Sequence, residues 1–432
     1  MVKKMKSGAF EFQAEEKPPR GSVLYEEHLK LTDKSHIAEF AGFLMPLWYS
    51  SIAAEHSAVR HRAGVFDCTH MGAIEVSGSN AEVFLDAITT NKVGALQTGQ
   101  AQYSYVLDAA GNVLDDIIIY RGTGFQPVKA RPGWPCHEEE KFMVVVNAAN
   151  EPKIKAYLSA LRNGQASTES RSISVAVVRD MKDTNSGNDG RVDIALQGPE
   201  SVEVLRKLDK SAGQKAGELK SFTLFETNVS GIDCIITRTG YTGAKVCFEL
   251  FVHPDNAAKL WNQLLQAGAI PCGLGARDSL RVEAGLPLYG HELDGPHNIS
   301  PFEAGYGWAV KLEKAFFIGK AAIEKNAKNY TMKVARIELS SEKGIRPVRQ
   351  NDGVISNGQC IGWVLSSATA GNRQIGLVYV EKEKVNEGDS IGIYYLARSE
   401  SQKSKGKKET VKRGERLEPD IAGKVLSRFE KF

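Results

Sequence analysis

The residues with the clearest potential for chemistry are two adjacent aspartates, Asp115 and Asp116, in the segment VLDDIIIY. Apolar residues flank the pair, and the two-residue period of a strand predicts that its carboxylates point to opposite faces. If both faces are buried, at least one carboxylate needs a partner or a ligand, or stays protonated. The pair is therefore a candidate functional acid. The alternative is that both carboxylates accept hydrogen bonds from the turn at Gly111 and Asn112, and the pattern alone favours neither.

Two arginines, Arg277 and Arg281, form a second candidate site within GLGARDSLRVEAGLPLYG. They lie four residues apart on a predicted helix, where like charges repel unless an anion lies between them. A guanidinium presents two parallel N–H donors to a carboxylate, so the pair suits a carboxylate-bearing ligand. Pairing within the helix with Asp278 or Glu283 is the alternative, and without context the sequence slightly favours it.

A third candidate is Glu249, which follows the turn RTGYTG and lies between two apolar residues of a predicted strand. A carboxylate in that position can accept two hydrogen bonds from the amino and ring N–H groups of a heterocycle. The alternative is that Glu249 faces water at a sheet edge, where single strand glutamates are more common.

Other familiar catalytic patterns are missing from the sequence. Cys68 and His70 share one face of the predicted strand in FDCTHMGAIEV. Neighbours two apart on a strand rarely form the in-line hydrogen bond that activates a nucleophile, so we interpret them as core residues. The chain contains no HExxH, GxSxG or P-loop motif and no paired His/Cys spacing, so we predict neither a metal site nor a simple catalytic triad.

The elements that position these residues follow one recurring order: a strand, a capped turn and a helix. Three copies are AIEVSGSNAEVFLDAI, DIALQGPESVEVLRKL and FELFVHPDNAAKLWNQLLQAG, with Asn80 and Asp255 as predicted caps. A hairpin, YSYVLDAAGNVLDDIIIY, carries the aspartate pair. This order predicts two or more α+β sandwiches with helices on one face of a mostly antiparallel sheet. After about Lys320, short strands between Gly and Asn turns predict a separate all-β domain.

Length and charge exclude several classes of protein. The 432 residues predict two to four domains. The net charge is +3, but six basic residues lie between Lys403 and Arg413, so the body of the chain is not basic and does not suit nucleic acid. No segment approaches the roughly 20 apolar residues that cross a bilayer. Six cysteines without a CxxC pair and an N-terminus without an apolar signal predict a cytoplasmic, reduced protein.

Three segments look peripheral to the folded domains. Residues 1–21 contain Pro18 and Pro19 among charges and are predicted to form a disordered tail. Residues 123–140 and 399–420 interrupt the strand pattern and are predicted to be solvated loops. The alternative for the second insert is that its lysines dock a partner.

Taken together, several segments resemble one family, the aminomethyltransferase or T-protein of the glycine cleavage system. These are LYEEHLKL, EFAGFLMPLWY, GVFDCTHMG, GQAQYSYVLDAAGNVLDDIIIY, VVNAAN, LQGPES, RTGYTG, GARDSLRVEAGLPLYGHEL and PFEAGYGWAVKL, in the order of the family and across most of residues 24–320. No single segment is sufficient, but the ordered set is highly specific.

The resemblance implies a three-domain cloverleaf of the α+β class around a central channel. Two ferredoxin-like α/β sandwich domains would precede a C-terminal all-β domain of Greek-key or jelly-roll-like barrel form. The expected ranges are 22–67 with 160–270 for the first domain, 68–159 with 271–319 for the second, folate-binding domain, and 320–432 for the barrel.

The implied activity is transfer of a one-carbon unit from an aminomethyl-lipoyl group to tetrahydrofolate, with release of ammonia and formation of 5,10-methylenetetrahydrofolate. The lipoyl group belongs to the carrier (H) protein, which is the implied partner. We expect a monomer that binds neither nucleic acid nor membrane.

The resemblance also implies roles at the acidic end of the site. Asp116 would be the key acid beside the folate nitrogens, because it is the second Asp of the LDD motif. Met71 and Tyr103 would line the pocket, with Asn147 close by.

At the other end, Glu249 would hold the pterin and Arg277 would be the folate-binding arginine of the ARDSLR motif. A family arginine near the C-terminus also contacts ligand, and we expect Arg398 to be its nearest counterpart here.

Two other functions remain open. A folate-dependent demethylase of a methylated amine or sulfonium compound would use the same fold with another donor. A non-catalytic folate-binding module would retain the fold without turnover, although the presence of Asp116 argues against it. The tRNA-modification-linked relatives carry a cysteine beside their glycine-tyrosine turn, where this chain has Thr239.

Overall fold

The computed structural model describes residues 9–15, 17–122, 140–163, 176–340, 346–404 and 406–430. The predicted insert at 123–140 lies outside this part except for Glu140. The strands are β1 (Arg20–Gly21), β2 (Ile37–Phe40), β3 (Phe43–Pro46), β4 (Gly64–Asp67), β5 (Gly72–Ser77), β6 (Ala101–Leu107), β7 (Val113–Arg121), β8 (Lys141–Val146), β9 (Val177–Asp180), β10 (Val192–Gln197), β11 (Leu224–Val229), β12 (Ile232–Thr237), β13 (Cys247–Val252), β14 (Ile270–Pro271), β15 (Met332–Leu339), β16 (Gly353–Ser356), β17 (Gln359–Ala370), β18 (Arg373–Glu381), β19 (Ser390–Tyr394) and β20 (Ile421–Leu426). The helices are α1 (Tyr25–Leu29), α2 (Ile52–His61), α3 (Ala81–Ile88), α4 (Glu151–Arg162), α5 (Ser201–Leu208), α6 (Lys210–Glu218), α7 (Pro254–Gln266), α8 (Leu274–Ala284), α9 (Lys320–Asn329) and α10 (Glu400–Ser404).

The first large sheet has six strands in the order β11-β12-β13-β10-β4-β14. Its pairs are antiparallel except for β14 beside β4. Residues Val192, Ile194 and Leu196 of β10 point to one face, where they pack with α5, α6 and α7 around the buried Trp261. The alternate residues of β10 face away from these helices because strand side chains alternate.

The second sheet has five strands in the order β6-β7-β8-β5-β9, all antiparallel. Ile117 and Ile119 of β7 pack with α3 and α4 on one face. The other face, with Tyr120, meets the six-stranded sheet at Ile235 and Phe251. The two sheets therefore turn their helix-free faces toward each other.

The C-terminal part forms a closed barrel of six strands in the order β15-β18-β17-β16-β19-β20. Its interior holds Ile337, Val364 and Ile393, each essentially inaccessible to solvent. A separate apolar cluster joins the outside of the barrel to the five-stranded sheet, with Leu377 and Tyr105 among its members. The expectation of an α+β fold with a C-terminal all-β barrel is confirmed.

Several local expectations differ from the structure. Phe10, in the predicted tail, is buried to 8% exposure, packs edge-on against Tyr157, and donates its backbone N–H to Asp108 at 3.1 Å. The predicted disorder is wrong at Phe10, because the charged residues of the segment outweighed this one aromatic residue in the prediction. Helix α7 is capped by His253, which accepts from the N–H of Asp255, so the predicted cap lies in the first turn.

The strand ranges also differ in one place from the expected domains. β9 lies within residues 160–270, but it pairs with β5 and completes the five-stranded sheet. Five strands of the other sheet fall within the ranges expected for the first domain, and β14 (Ile270–Pro271) crosses the expected boundary at residue 270.

The second insert, at 399–420, is in part structured. It contains α10, and Val411 is buried and accepts a hydrogen bond from the indole of Trp363 at 3.0 Å. Lys407 pairs with Asp420 at 2.5 Å, and Lys408 pairs with Glu415. Within the described ranges, no helix is both long and apolar enough to span a membrane.

Candidate functional site

Asp116 lies on the helix-free face of the five-stranded sheet, two and four residues before Ile118 and Tyr120 of the inter-sheet core. Its carboxylate accepts a hydrogen bond from the hydroxyl of Tyr103 at 2.9 Å and one from the side-chain amide of Asn147 at 2.8 Å. Tyr103 comes from the neighbouring strand β6, and Asn147 directly follows β8. Three of the predicted residues are thus brought together.

Asp115 points to the other face, as strand alternation predicts, yet it reaches the same amide. The Nδ2 atom of Asn147 is 2.9 Å from Asp115, and the backbone N–H of Asn147 donates to the same carboxylate at 3.0 Å. Asn150, which precedes α4, adds a third donor at 2.5 Å. The convergence is possible because β8 ends at Val146, so Asp115 and Asp116 extend beyond the neighbouring strand.

The pKa values of the two aspartates rise together. Burial, with the neighbouring charge of Asp116, raises the pKa of Asp115 to about 8. Burial also raises the pKa of Asp116, against the hydrogen bonds from Tyr103 and Asn147. Because the two carboxylates are close, ionisation of one opposes ionisation of the other.

An aromatic wall stands beside Asp116. The ring of Tyr103 is 5.3 Å from that of Tyr105, 5.6 Å from Tyr306 and 5.8 Å from Trp308, measured between centroids. Trp308 remains 52% exposed, so this wall runs from the buried acid to the surface. Flat aromatic rings in that arrangement suit a planar ligand.

Glu249 and Arg277 line a small cavity beside strands β10 and β13. The other lining residues are Phe66, Cys68, Ala195, Gln197, Tyr241 and Thr242. Glu249 lies on β13, paired with Ala195 in the middle of the sheet, so the edge position considered from sequence is wrong. Its carboxylate accepts hydrogen bonds from Thr239 and, at 2.9 Å, from Tyr120.

The two arginines of α8 have different environments. Arg281 is fully buried and pairs with Asp278 at 2.8 Å and Glu292 at 2.7 Å, so it is structural. Arg277 contacts the thiol of Cys68 at 2.9 Å and lies over the ring of Tyr241 at 5.2 Å. Among the described residues, no carboxylate lies within 4.0 Å of its guanidinium, which leaves it able to bind an anionic or acceptor group.

Tyr241 and Met71 connect the two ends of the site. The ring of Tyr241 contacts Arg277, while burial, supplemented by the Asp116 carboxylate, raises its pKa. Met71 packs against the cluster around Tyr120 and also against the cluster around Phe66. Tyr241, which lines the cavity with Arg277, therefore also lies within electrostatic reach of Asp116.

The predicted C-terminal arginine is not at the cavity. Arg398 donates to Asp352 at 3.2 Å and to the carbonyl of Gln350, both at one end of the barrel. Arg428 is nearer the acid: burial lowers its pKa to about 10, and its charge counters the raised pKa of Tyr306. Tyr306 in turn packs on Tyr103.

Sequence reasoning missed Arg428, Tyr306 and Trp308 as site residues. Tyr306 and Trp308 both lie in the segment PFEAGYGWAVKL, on either side of a glycine. That pair of aromatic residues was the only sequence pattern that could have pointed to them. The segment SRFEKF carries no motif that marks Arg428 as a site residue. Its position depends on how β20 closes the barrel, which the local sequence does not show. Among the described residues there is no group of three or more potential metal ligands.

Two sheets that meet at an apolar interface, with a closed barrel packed against one of them, define the three-part fold. The family model described as the GCVT N-terminal domain matches residues 24–314. An aminomethyltransferase from Exiguobacterium sibiricum is 38% identical over 355 residues, 81% of this chain and 87% of that protein. One from Thermus thermophilus is 40% identical over 363 residues, 83% of this chain and 90% of that protein.

A crystal structure of the glycine cleavage system aminomethyltransferase T from Bartonella henselae has the same fold. Its TM-score is 0.70 at 29% sequence identity, with 94% of this chain and 96% of that chain covered. The chain therefore belongs to the aminomethyltransferase family, a family of transferase enzymes.

Proposed function

We propose that this protein transfers the one-carbon unit of an aminomethyl-lipoyl group, held by the lipoyl carrier protein of the glycine cleavage system, to tetrahydrofolate. The products are ammonia and 5,10-methylenetetrahydrofolate. The observation that carries the proposal is the buried Asp116 carboxylate, which Tyr103 holds beside an aromatic wall. Glu249 and Arg277 line a cavity together with Tyr241, whose ring lies within electrostatic reach of Asp116. The names of the relatives support the same reaction.

Asp116 provides negative charge where positive charge develops. Departure of ammonia from an aminomethyl thioether leaves an electron-poor carbon, which the N5 atom of the folate attacks. The N10 atom then bonds to the same carbon and displaces the lipoyl sulfur. The N5 proton goes to ammonia and the N10 proton to the departing thiolate, so the lipoyl group leaves as a free thiol. A fixed carboxylate in a site shielded from water stabilises this charge more strongly than an exposed one would. Tyr103 and Asn147 hold the carboxylate in one orientation through both of its oxygens.

The folate would lie along the cavity with its pterin toward Glu249. Glu249 accepts N–H donors of the pterin, and Arg277 binds an acceptor group of the folate. Met71 and Tyr103 pack against the rings. Arg428 would take the place of Arg398 as the C-terminal arginine near the ligand, because its charge acts on Tyr306, which packs on Tyr103.

The carrier protein would present its lipoyl arm at the opening of the cavity. The lysine run near the C-terminus supports docking less than its sequence suggests, because Lys407 and Lys408 are already paired with carboxylates. We also propose that the chain acts as a monomer in the cytoplasm.

The test is tetrahydrofolate-dependent release of ammonia from a carrier protein loaded with the aminomethyl-lipoyl group. Release that requires both folate and loaded carrier would support the proposal, and Asp116→Asn is the matched control. Folate binding without release would contradict it and favour a demethylase, which a screen of methylated amines and sulfonium donors would identify. Binding with no turnover of any donor would indicate a non-catalytic module.

A further inference from the structure

Asp193, on β10, is a buried carboxylate with one unsatisfied oxygen. The residue is 4% exposed, and no donor among the described residues reaches its Oδ1 atom. Among the described residues, none forms an ion pair with it either. Burying a carboxylate in this way is costly unless it stays protonated or binds something else.

Strand register places Asp193 on the sheet face that borders the cavity. Side chains two residues apart share a face, so Asp193 lies on the same side as Ala195 and Gln197, both of which line the cavity. Ala195 is paired with Glu249, so the two carboxylates are separated by one step along adjacent strands. Asp193 is therefore next to the lining residues, on the face that carries Glu249.

The charges around Asp193 also belong to the cavity. Burial, followed by the Glu249 carboxylate, raises the pKa of Asp193, while Arg277 opposes the rise. Asp193 is also close enough to Cys68 to raise the pKa of its thiol, which burial raises most. The groups that act on Asp193 are therefore the same groups that line the site.

A comparison with the neighbouring strand shows what a structural aspartate looks like in this fold. Asp67, on β4, is equally buried, but it accepts hydrogen bonds from Ser22 at 2.6 Å, His28 at 2.8 Å and the N–H of Thr69 at 2.8 Å. Asp193 has none of these. No hydrogen bond or ion pair to its carboxylate is found within the described structure, which a purely structural role does not explain.

We propose that Asp193 is a ligand-binding residue that, with Glu249, forms a two-carboxylate floor for the N–H donors of a planar amino-substituted heterocycle. This inference rests on the proposed function, in which that heterocycle is the pterin of tetrahydrofolate. Glu249 and Asp193 would accept from neighbouring donors of the same ring edge. The ligand would supply the hydrogen bonds that Asp193 lacks.

The experiment compares tetrahydrofolate affinity and unliganded melting temperature for the full chain, Asp193→Asn and a control. Asp193→Asn should weaken binding about 10- to 100-fold, the range for a hydrogen bond to a charged group. Its melting temperature should be equal or higher, because the substitution removes an unpaired buried carboxylate. Asp233→Asn, at an exposed position of the same sheet, should change neither quantity appreciably.

A double-mutant cycle distinguishes direct contact from an indirect effect. The second change is in the ligand, a tetrahydrofolate whose 2-amino group is replaced by methyl. If Asp193 binds that edge, the two losses together should be clearly smaller than their sum. Additive losses, or weaker binding accompanied by a lower melting temperature, would overturn the role of Asp193.

The two proposals can fail separately. Equal affinity of Asp193→Asn and the unsubstituted chain would overturn the role of Asp193 while leaving the proposed function standing. Lack of tetrahydrofolate binding by the unsubstituted chain would overturn the proposed function itself and, with it, the pterin as the partner of Asp193.

Discussion

The guanidinium of Arg277 lies 2.9 Å from the thiol sulfur of Cys68, in a cavity where the nearest acids act on it only at longer range. A thiol is a weak acceptor, so this contact does not satisfy a charged donor. Burial opposes the charge of Arg277, but Cys68, Tyr241 and the nearby acids outweigh it and raise its pKa. The arginine therefore stays charged with free donors.

From this we predict that Arg277→Ala weakens tetrahydrofolate binding by roughly 2–5 kcal/mol, because it removes the partner of a buried ligand group. Equilibrium titration would measure the change. Arg206→Ala, at an exposed position of α5, serves as the control and should bind normally. Unchanged affinity in Arg277→Ala would assign Arg277 a structural role.

Asp116→Asn should slow turnover by more than about 100-fold, while tetrahydrofolate affinity stays within about tenfold. The amide has the same size but lacks the negative charge that stabilises the transition state. Single-turnover ammonia release and a separate binding titration would measure the two effects. Equal losses of binding and turnover would contradict a role in catalysis.

Asp115 should make stability depend on pH. Its pKa is about 8 in the folded protein and about 3.9 when unfolded, so the stability that it contributes is present at low pH and is lost as pH rises toward 8. Relative to the unsubstituted chain, Asp115→Asn should therefore gain about 2–4 kcal/mol between pH 5 and pH 8. Urea unfolding at both pH values checks this, and a constant difference would contradict it.

Asp67 should have the opposite pH dependence. Burial opposes its ionisation, but the hydrogen bond and charge of His28 outweigh burial and lower the pKa of Asp67 to about 2. Its contribution is therefore present above about pH 4 and is lost as pH falls through 2. Asp67→Asn should destabilise the protein by about 3–5 kcal/mol at pH 7. That difference should shrink in unfolding experiments below pH 4, and persistence at pH 2 would contradict the assignment.

The sequence predicted the candidate site better than the details of its geometry. Strand alternation placed Asp115 and Asp116 on opposite faces, and the motifs identified Glu249 and Arg277. What the sequence did not show was that both aspartates reach Asn147, because that depends on where β8 ends beside β7. A sequence pattern describes one strand at a time. Predicting this contact requires knowing where β8 ends relative to its neighbour β7.

Long-range contacts explain the remaining differences. Arg398 and Arg428 each come shortly after a barrel strand, β19 and β20, and the sequence does not show which of them the closed barrel brings near Tyr306. Phe10 becomes buried through residues nearly 150 positions away. The sequence predicted the strand that contains Asp193. It could not predict that the Oδ1 atom lacks a donor among the described residues, because that depends on the positions of side chains from other strands.

The strand order of the six-stranded sheet also determines when each strand can pair during synthesis on the ribosome. β4 lies between β10 and β14, which follow it by roughly 130 and 200 residues. At a synthesis rate of about 5–20 residues per second, β4 remains unpaired for on the order of ten seconds before its neighbour β10 has been synthesised. The whole five-stranded sheet emerges in that interval. A nascent chain stopped before residue 190 would thus expose β4 as an unpaired edge, open to chaperones and to aggregation.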